Sequence, residues 1–234
     1  MDLCLLNLGN NKFKIAITDT IDETSFITFE VNSGNNNIDS ITNINKTNIK
    51  FTSSNFIPLC ICYCTCKFLL YGQSNGILRI VDNENNEEKF FKIHEAGINE
   101  LKIYNLNSSK NIYLLFTCGE DCTLVISEFD INKNEINIVN KIQSIHFSAI
   151  KSIDIVEYKN NLIIITGGYD QIINICLLNI ETNIFKVLKV FKTCTSEINS
   201  IKGLLEKNEE NHNYFLYIAI GGLGMEYLKF KIEE

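Results

Sequence analysis

Residues 146–192 read HFSAIKSIDIVEYKNNLIIITGGYDQIINICLLNIETNIFKVLKVFK, and residues 94–142 read HEAGINELKIYNLNSSKNIYLLFTCGEDCTLVISEFDINKNEINIVNKI. One is a drifted copy of the other. Each opens on a histidine, His94 or His146, and carries an aspartate in a small-residue turn, Asp121 or Asp170. The histidines stand 146 − 94 = 52 residues apart and the aspartates 170 − 121 = 49. Within each copy four short apolar runs alternate with polar turns, and the first run is apolar at alternate positions (Ile98, Leu101 and Ile103; Ile150, Ile153 and Ile155). A period near 50 residues built from four such runs predicts radially repeated β units. LIIIT is apolar on both faces, as a strand buried on both sides of its sheet requires.

Working outward, residues 1–31 hold the strand-like runs LCLLNL, FKIAIT and SFITFEV, and 32–50 read as a polar loop. Units follow at 51–93, 94–145 and 146–193, and a more worn one at 194–234 contains INSIKGLL, YFLYIAIGG and MEYLKFKI. The alternation is period two throughout, and no run has helical period. The expected fold is all-β, with about four to five degenerate blades of four antiparallel strands in a single domain or a fragment of one.

Composition narrows the function. The 234 residues carry a net charge of −7, 45% hydrophobic residues and 10% aromatics, enough for a packed core and against general disorder. Of 21 basic residues only Arg79 is an arginine, so the bidentate phosphate fork is missing and direct nucleic-acid binding is disfavoured. The longest uncharged apolar stretch, Phe56 to Cys66, is too short to span a bilayer and contains Pro58. No basic residue precedes the apolar run at the N-terminus, so it does not read as a signal peptide. Nine cysteines, an odd count, then point to reduced thiols in the cytosol or nucleus. The abundant asparagines reflect coding bias rather than function.

Each candidate site also has a structural reading. His94 with Asp121 could act as base and orienting carboxylate, but the pair recurs as His146 with Asp170, and a blade brace must repeat whereas an active site need not. Cys60, Cys62, Cys64 and Cys66 would lie on one face of a strand about 6.6 Å apart, too far to share one zinc with bonds of about 2.3 Å. Cys118 and Cys122 bracket a turn, but a reducing compartment keeps them free. Gly221, Gly222 and Gly224 lack the following helix and lysine of a phosphate loop. His212 reads as a loop residue, and Glu84, Glu87, Glu88, Glu206, Glu209 and Glu210 as solvated turn tips. No catalytic residue, cofactor, metal or small-molecule substrate is expected.

His, about 25 residues, a small-small-x-Asp turn and then an apolar strand resembles the repeat of WD-repeat β-propellers. That resemblance implies a hydrogen-bonded brace inside each blade: His94, Thr117 and Asp121 in one, His146, Thr166 and Asp170 in the next. The family's third-strand Trp is absent, and Ser127 or Cys176 stands about where it would fall. Gly119, Gly167, Gly168, Gly221 and Gly222 suit turns needing positive φ or close packing. Such propellers close with about seven blades, so the chain falls short of a ring and should leave a strand edge and an apolar blade face open.

A narrower likeness covers the C-terminal two thirds. HEAGINELKI with FTCGEDCTLVI, HFSAIKSIDIV with ITGGYDQIINI, and EINSIKGLL with IAIGGLGMEYLKF are similar to the last blades of one WD-repeat family. Its members partner the methyltransferase that adds a 2′-O-methyl group to the wobble nucleotide of certain tRNAs. The least generic match is Gly221-Gly222-Leu223-Gly224-Met225-Glu226. The likeness implies a cytoplasmic, non-catalytic subunit matching the C-terminal part of a larger protein. Its protein partner would be a tRNA ribose methyltransferase supplying S-adenosylmethionine and the chemistry, with tRNA reached through the complex. The alternative is a generic WD-repeat interaction scaffold of another intracellular assembly.

Overall fold

A computed structural model of the chain describes residues 2–18, 23–34, 37–50, 57–85, 87–107, 111–208 and 213–232. Among them there are strands and turns and no helix, hence none long and apolar enough to cross a membrane. The chain divides into two compact units, 1–101 and 102–234.

The first unit opens with a sheet in the order β1 (Asp2–Gly9), β2 (Lys12–Thr18), β3 (Glu23–Gly34), β4 (Asn37–Lys50). The second sheet runs β5 (Pro58–Tyr63), β6 (Phe68–Gln73), β7 (Ile77–Asp82), β8 (Glu88–Lys92). Ala16, Phe26, Ile61, Tyr63, Leu69, Tyr71 and Val81 form the core between them. Asp2 of β1 accepts the Ile61 backbone N–H at 2.8 Å, tying the inner strands together. The polar loop expected at 32–50 is instead the outer hairpin of the first sheet, so its blade spans 2–50 and not 1–31. An outermost strand needs backbone pairing but no buried face, and the exposed residues 43–48 of β4 carry no apolar alternation to reveal it.

The only arginine of the chain is spent inside this unit. Arg79 is buried and donates to both carboxylate oxygens of Glu88 at 2.7 and 3.2 Å, with Tyr71 and Phe90 rings beside its guanidinium. Glu88 is therefore the buried cation's partner on β8 and not a solvated turn tip, since a buried charge needs a paired counter-ion. Glu84, in contrast, meets Lys67 at the surface.

Strand β9 (Ile98–Asn107) carries the division and pairs at the edge of the sheet β12 (Glu135–Ile142), β11 (Leu124–Asp130), β10 (Ile112–Gly119), β9. The fourth sheet runs β13 (Ile150–Tyr158), β14 (Asn161–Gly168), β15 (Ile172–Asn179), β16 (Phe185–Lys192). Leu114, Phe116, Leu124, Ile126, Ile150, Ile153, Ile164 and Cys176 fill the space between these two sheets. β14 is buried on both faces, as LIIIT requires. The outer hairpins turn on Asn134 and Asn183, and Asn111 stands just before β10, all three with φ between 52° and 56°. Asparagine tolerates that left-handed conformation better than other non-glycine residues.

The last sheet pairs β17 (Ser196–Lys207) with β18 (Tyr214–Ile232). Even-numbered β18 residues Leu216, Ile218 and Ile220 pack with Ile163, Ile165, Ile173 and Ile201. β18 cannot be straight. Lys229 Nζ lies 4.3 Å from the Phe215 ring centroid and 5.0 Å from that of Tyr217. The 229 − 215 = 14 residues between them would span about 46 Å of extended strand. The run therefore doubles back at Leu223–Met225, where Gly224 has φ +123°. Among the described residues the sheet then has three arms where the other four have four strands.

Side chains of β13 also reach the last sheet's inner strand. Ser152 Oγ accepts the Ile201 N–H at 2.9 Å, and buried Asp154 accepts the Gly203 N–H at 2.7 Å and pairs with Lys202 at 3.0 Å.

Candidate protein-interaction site

The loop before β13 and the hairpin between β14 and β15 meet at one carboxylate. Asp170 accepts the ring N–H of His146 (Nδ1, 3.0 and 3.1 Å to the two oxygens), the Phe147 backbone N–H at 2.8 Å and the Ile172 backbone N–H at 3.1 Å. His146 Nε2 faces the Thr166 hydroxyl at 2.9 Å and the Asn174 amide at 3.0 Å, and that amide also donates to Ile145 O at 2.8 Å. With Nδ1 donating and two donors at Nε2, the arrangement suits the neutral imidazole. Burial pushes the His146 pKa below its usual value, opposed by Asp170. Linkage sets the sign: unfolded chain takes up a proton near pH 6.5 that the folded ring resists. Stability should fall as pH drops below about 6.5. A His146→Gln variant should lose that component of the slope, as melting temperature measured between pH 7.5 and 5 would show.

The structure thus brings His146, Thr166 and Asp170 together. The third-strand member is Asn174, directly opposite Thr166, and not Cys176, which lies two residues on in the apolar core. A polar residue inside the otherwise apolar run IINICLL was its signal. In the preceding repeat Thr117 lies buried on β10, and Asp121 caps its own turn by accepting the Thr123 N–H at 3.2 Å. His94 is buried in the segment before β9, and its backbone N–H donates to Gly76 O at 3.1 Å. Ser127 is buried with no hydrogen-bond partner for its hydroxyl among the described residues, so it does not take the missing tryptophan's place in a network.

Gly167, Gly168 and Gly222 act through packing. Positive φ in these hairpins falls on Cys122 (59°) and Gln171 (61°), not on Gly119, Gly167 or Gly168. A Cβ on Gly167 would lie 2.4 Å from Ile201 Cδ1, and one on Gly168 2.9 Å from His146 Nδ1. Gly221 and Gly222 precede the reversal of β18, and a Cβ on Gly222 would stand 2.4 Å from Ser196 O and 2.7 Å from Glu197 O. Beyond the reversal Glu226 accepts the Thr193 hydroxyl and the Cys194 N–H, the latter at 3.0 Å. In register, Gly224 falls where Asp170 falls one repeat earlier, and a carboxylate two residues later meets the incoming loop instead.

The other sequence candidates separate. β5 ends at Tyr63, so Cys60 and Cys62 lie on the strand, whereas Cys64 and Cys66 lie in the bend that follows rather than on one strand face. Chain reversal at 64–68, where Cys64 N–H bonds Phe68 O, ends the extended geometry. Among the described residues no group of three or more His, Cys, Asp or Glu could hold a metal ion. Burial, with Cys62 and Asp2 nearby, pushes the Cys4 thiol up to about 12, and burial does the same to Cys176. Both are protonated and unreactive at neutral pH. No disulfide joins Cys118 and Cys122. His212, Glu209 and Glu210 lie outside the described residues, and Glu206 pairs within the last sheet opposite Phe215.

What the brace displays is aromatic. Phe147 is 87% exposed and Tyr169 50%, on the two loops that Asp170 joins, and the Tyr169 N–H is fixed to Ala149 O at 3.1 Å. Lys151 Nζ stands 4.7 Å over the Tyr169 ring and pairs with Glu120. Sequence reading passed over both aromatics. Their signal was their position in turns that otherwise take polar residues.

Solved structures share this architecture. The WD40 β-propeller domain of Doa1 aligns over 97% of this chain and 67% of its own length, with TM-score 0.55 and 13% identity. U3-55K aligns over 95% and 60% (TM-score 0.57, 16% identity), and the WD40 repeats of RRP9 over 95% and 59% (0.56, 16%). Neither a family model nor a curated protein matches the sequence. The chain has the fold of a WD-type β-propeller and spans about three fifths of the length of two of these three structures. At such identities the likeness concerns the fold alone.

Proposed function

We propose that this protein is a non-catalytic WD-type scaffold and, more narrowly, the accessory subunit of a tRNA 2′-O-ribose methyltransferase acting on the anticodon loop. The observation that carries the scaffold reading is the pair Phe147 and Tyr169, held out to solvent by loops locked through Asp170. Rigid, exposed aromatics are the usual anchors of protein interfaces, because they bring contact area with little ordering cost. Further apolar faces lie open on β1 (Leu3, Leu5) and on the odd-numbered side of β18 (Leu223, Met225, Tyr227).

Support for the narrower reading comes from the likeness of three repeat stretches, above all Gly221–Glu226, where Gly222, Gly224 and Glu226 each meet a local demand that a generic Asp turn lacks. S-adenosylmethionine and catalysis would belong to the partner, in the cytoplasm. A net charge of −7, with the lone arginine engaged by Glu88, favours contact with tRNA through the complex.

Affinity purification of the tagged protein from its own cells tests both levels. Stoichiometric recovery of a tRNA ribose methyltransferase is expected, falling at least tenfold for Phe147→Ala/Tyr169→Ala with the melting temperature unchanged. Removing the gene should abolish ribose methylation of the wobble nucleotide. Unchanged methylation would sink the narrower reading, and recovery of a different stable complex would leave the scaffold in another assembly.

A further inference from the structure

The aromatic surface formed by Phe147 and Tyr169 has a charged border. Lys151, with only 18% of its side chain exposed, pairs with Glu120 of the β10–β11 hairpin and lays its ammonium 4.7 Å over the Tyr169 ring. Tyr169 and Glu120 thus already hold one cation between them. Two further carboxylates stand close by. Burial, and then the charges of Asp121, Asp170 and Glu120, push the Cys122 thiol up, so all three negative charges converge on the gap between the two hairpins. Lys151 supplies the opposing charge. Tyr169 remains 50% exposed, and Phe147, at 87%, has no ring or cation partner among the described residues.

We propose that this surface takes a basic segment of the partner protein, with an arginine or lysine laid across Phe147 and the open side of Tyr169 and its head group turned to Glu120 and Asp121. A long cationic side chain suits such a surface, because its methylenes cover the rings while the charged end reaches the carboxylates. It would repeat on the solvent side what Lys151 does beneath. An apolar residue fits less well. It would cover Lys151 and Glu120 without offering either a new partner, and charge desolvated without compensation is costly. An acidic segment, or the phosphates of RNA, would meet three carboxylates against one ammonium.

The inference rests on the scaffold reading and adds to it the chemistry of the partner. Three eight-residue peptides, alternating Ser-Arg, Ser-Leu and Ser-Glu, and an eight-nucleotide oligouridylate are titrated against the full chain. Backbone amide resonances of 118–123, 147–151 and 168–172 are followed by NMR. The Arg peptide should bind at least tenfold more tightly than the Leu peptide, and the Glu peptide and the oligouridylate should shift nothing. Two single substitutions should act with opposite signs at an unchanged melting temperature. Glu120→Gln should weaken Arg-peptide binding about threefold, and Lys151→Met, which removes the competing cation, should tighten it about threefold. Arg and Leu peptides of equal affinity, both lost in Phe147→Ala/Tyr169→Ala, would overturn the basic partner and leave the aromatic scaffold standing. Shifts that survive that double substitution, or none with any probe, would overturn the aromatic site itself. Binding of the oligouridylate, or a Lys151→Met variant that holds the Arg peptide less tightly, would likewise overturn the proposal.

Discussion

Asp170→Ala should destabilise the protein by about 3–5 kcal/mol, since one largely buried carboxylate serves two backbone N–H groups and the His146 ring, and charge-assisted bonds contribute about 1.5–3 kcal/mol each before non-additivity. For a chain of this size that is a fall of roughly 6–20 °C in melting temperature. Removing the acceptor leaves the Phe147 and Ile172 donors unsatisfied and frees the loop that carries Phe147. Asp170→Asn keeps one acceptor oxygen and should cost about half as much. Thermal denaturation with partner recovery on the same samples separates stability from binding. A brace predicts that any loss of binding comes together with a fall in melting temperature. A variant that folds normally yet loses its partner would assign Asp170 a direct role in recognition.

The second large effect is expected at Gly222. Its Cβ would stand 2.4 and 2.7 Å from two backbone carbonyl oxygens of the β17 segment, and neither can swing away as a side-chain tip could. Gly222→Ala should therefore prise β18 from the start of β17 at a cost of about 2–4 kcal/mol. The disturbance should concentrate around the Ser196–Leu223 pairing and loosen the hold of Glu226 on Cys194. Gly221→Ala is the matched control, because the nearest atom to its Cβ is 3.7 Å away. Equal melting temperatures for the two variants would show that the close approach is not needed for folding.

Much of this fold was written locally. Alternation in SIDIV and LIIIT sets which residues point inward, and the small-residue turns close hairpins whose loops span only three or four residues. The 49- and 52-residue spacings place equivalent residues in equivalent sheets, so His146, Thr166 and Asp170 could be singled out before any geometry was known. β4 could not be read this way. A solvated outer strand is held by backbone pairing to β3, which any polar sequence can supply. Asn174 was legible only as an oddity, because what makes it functional is its place opposite Thr166.

The sequence by itself determined the all-β class and singled out His146, Thr166 and Asp170 of the fourth sheet. Each of those depends on side-chain period or on turn chemistry within a few residues. Tertiary structure alone decided the bridges from Ser152 and Asp154 to β17, whose partners lie 49 residues on. It also decided the doubling back of β18 and the exposure of Phe147. Those features arise where one sheet stacks on the next, and the contacts made there depend on segments too far apart for any local pattern to encode.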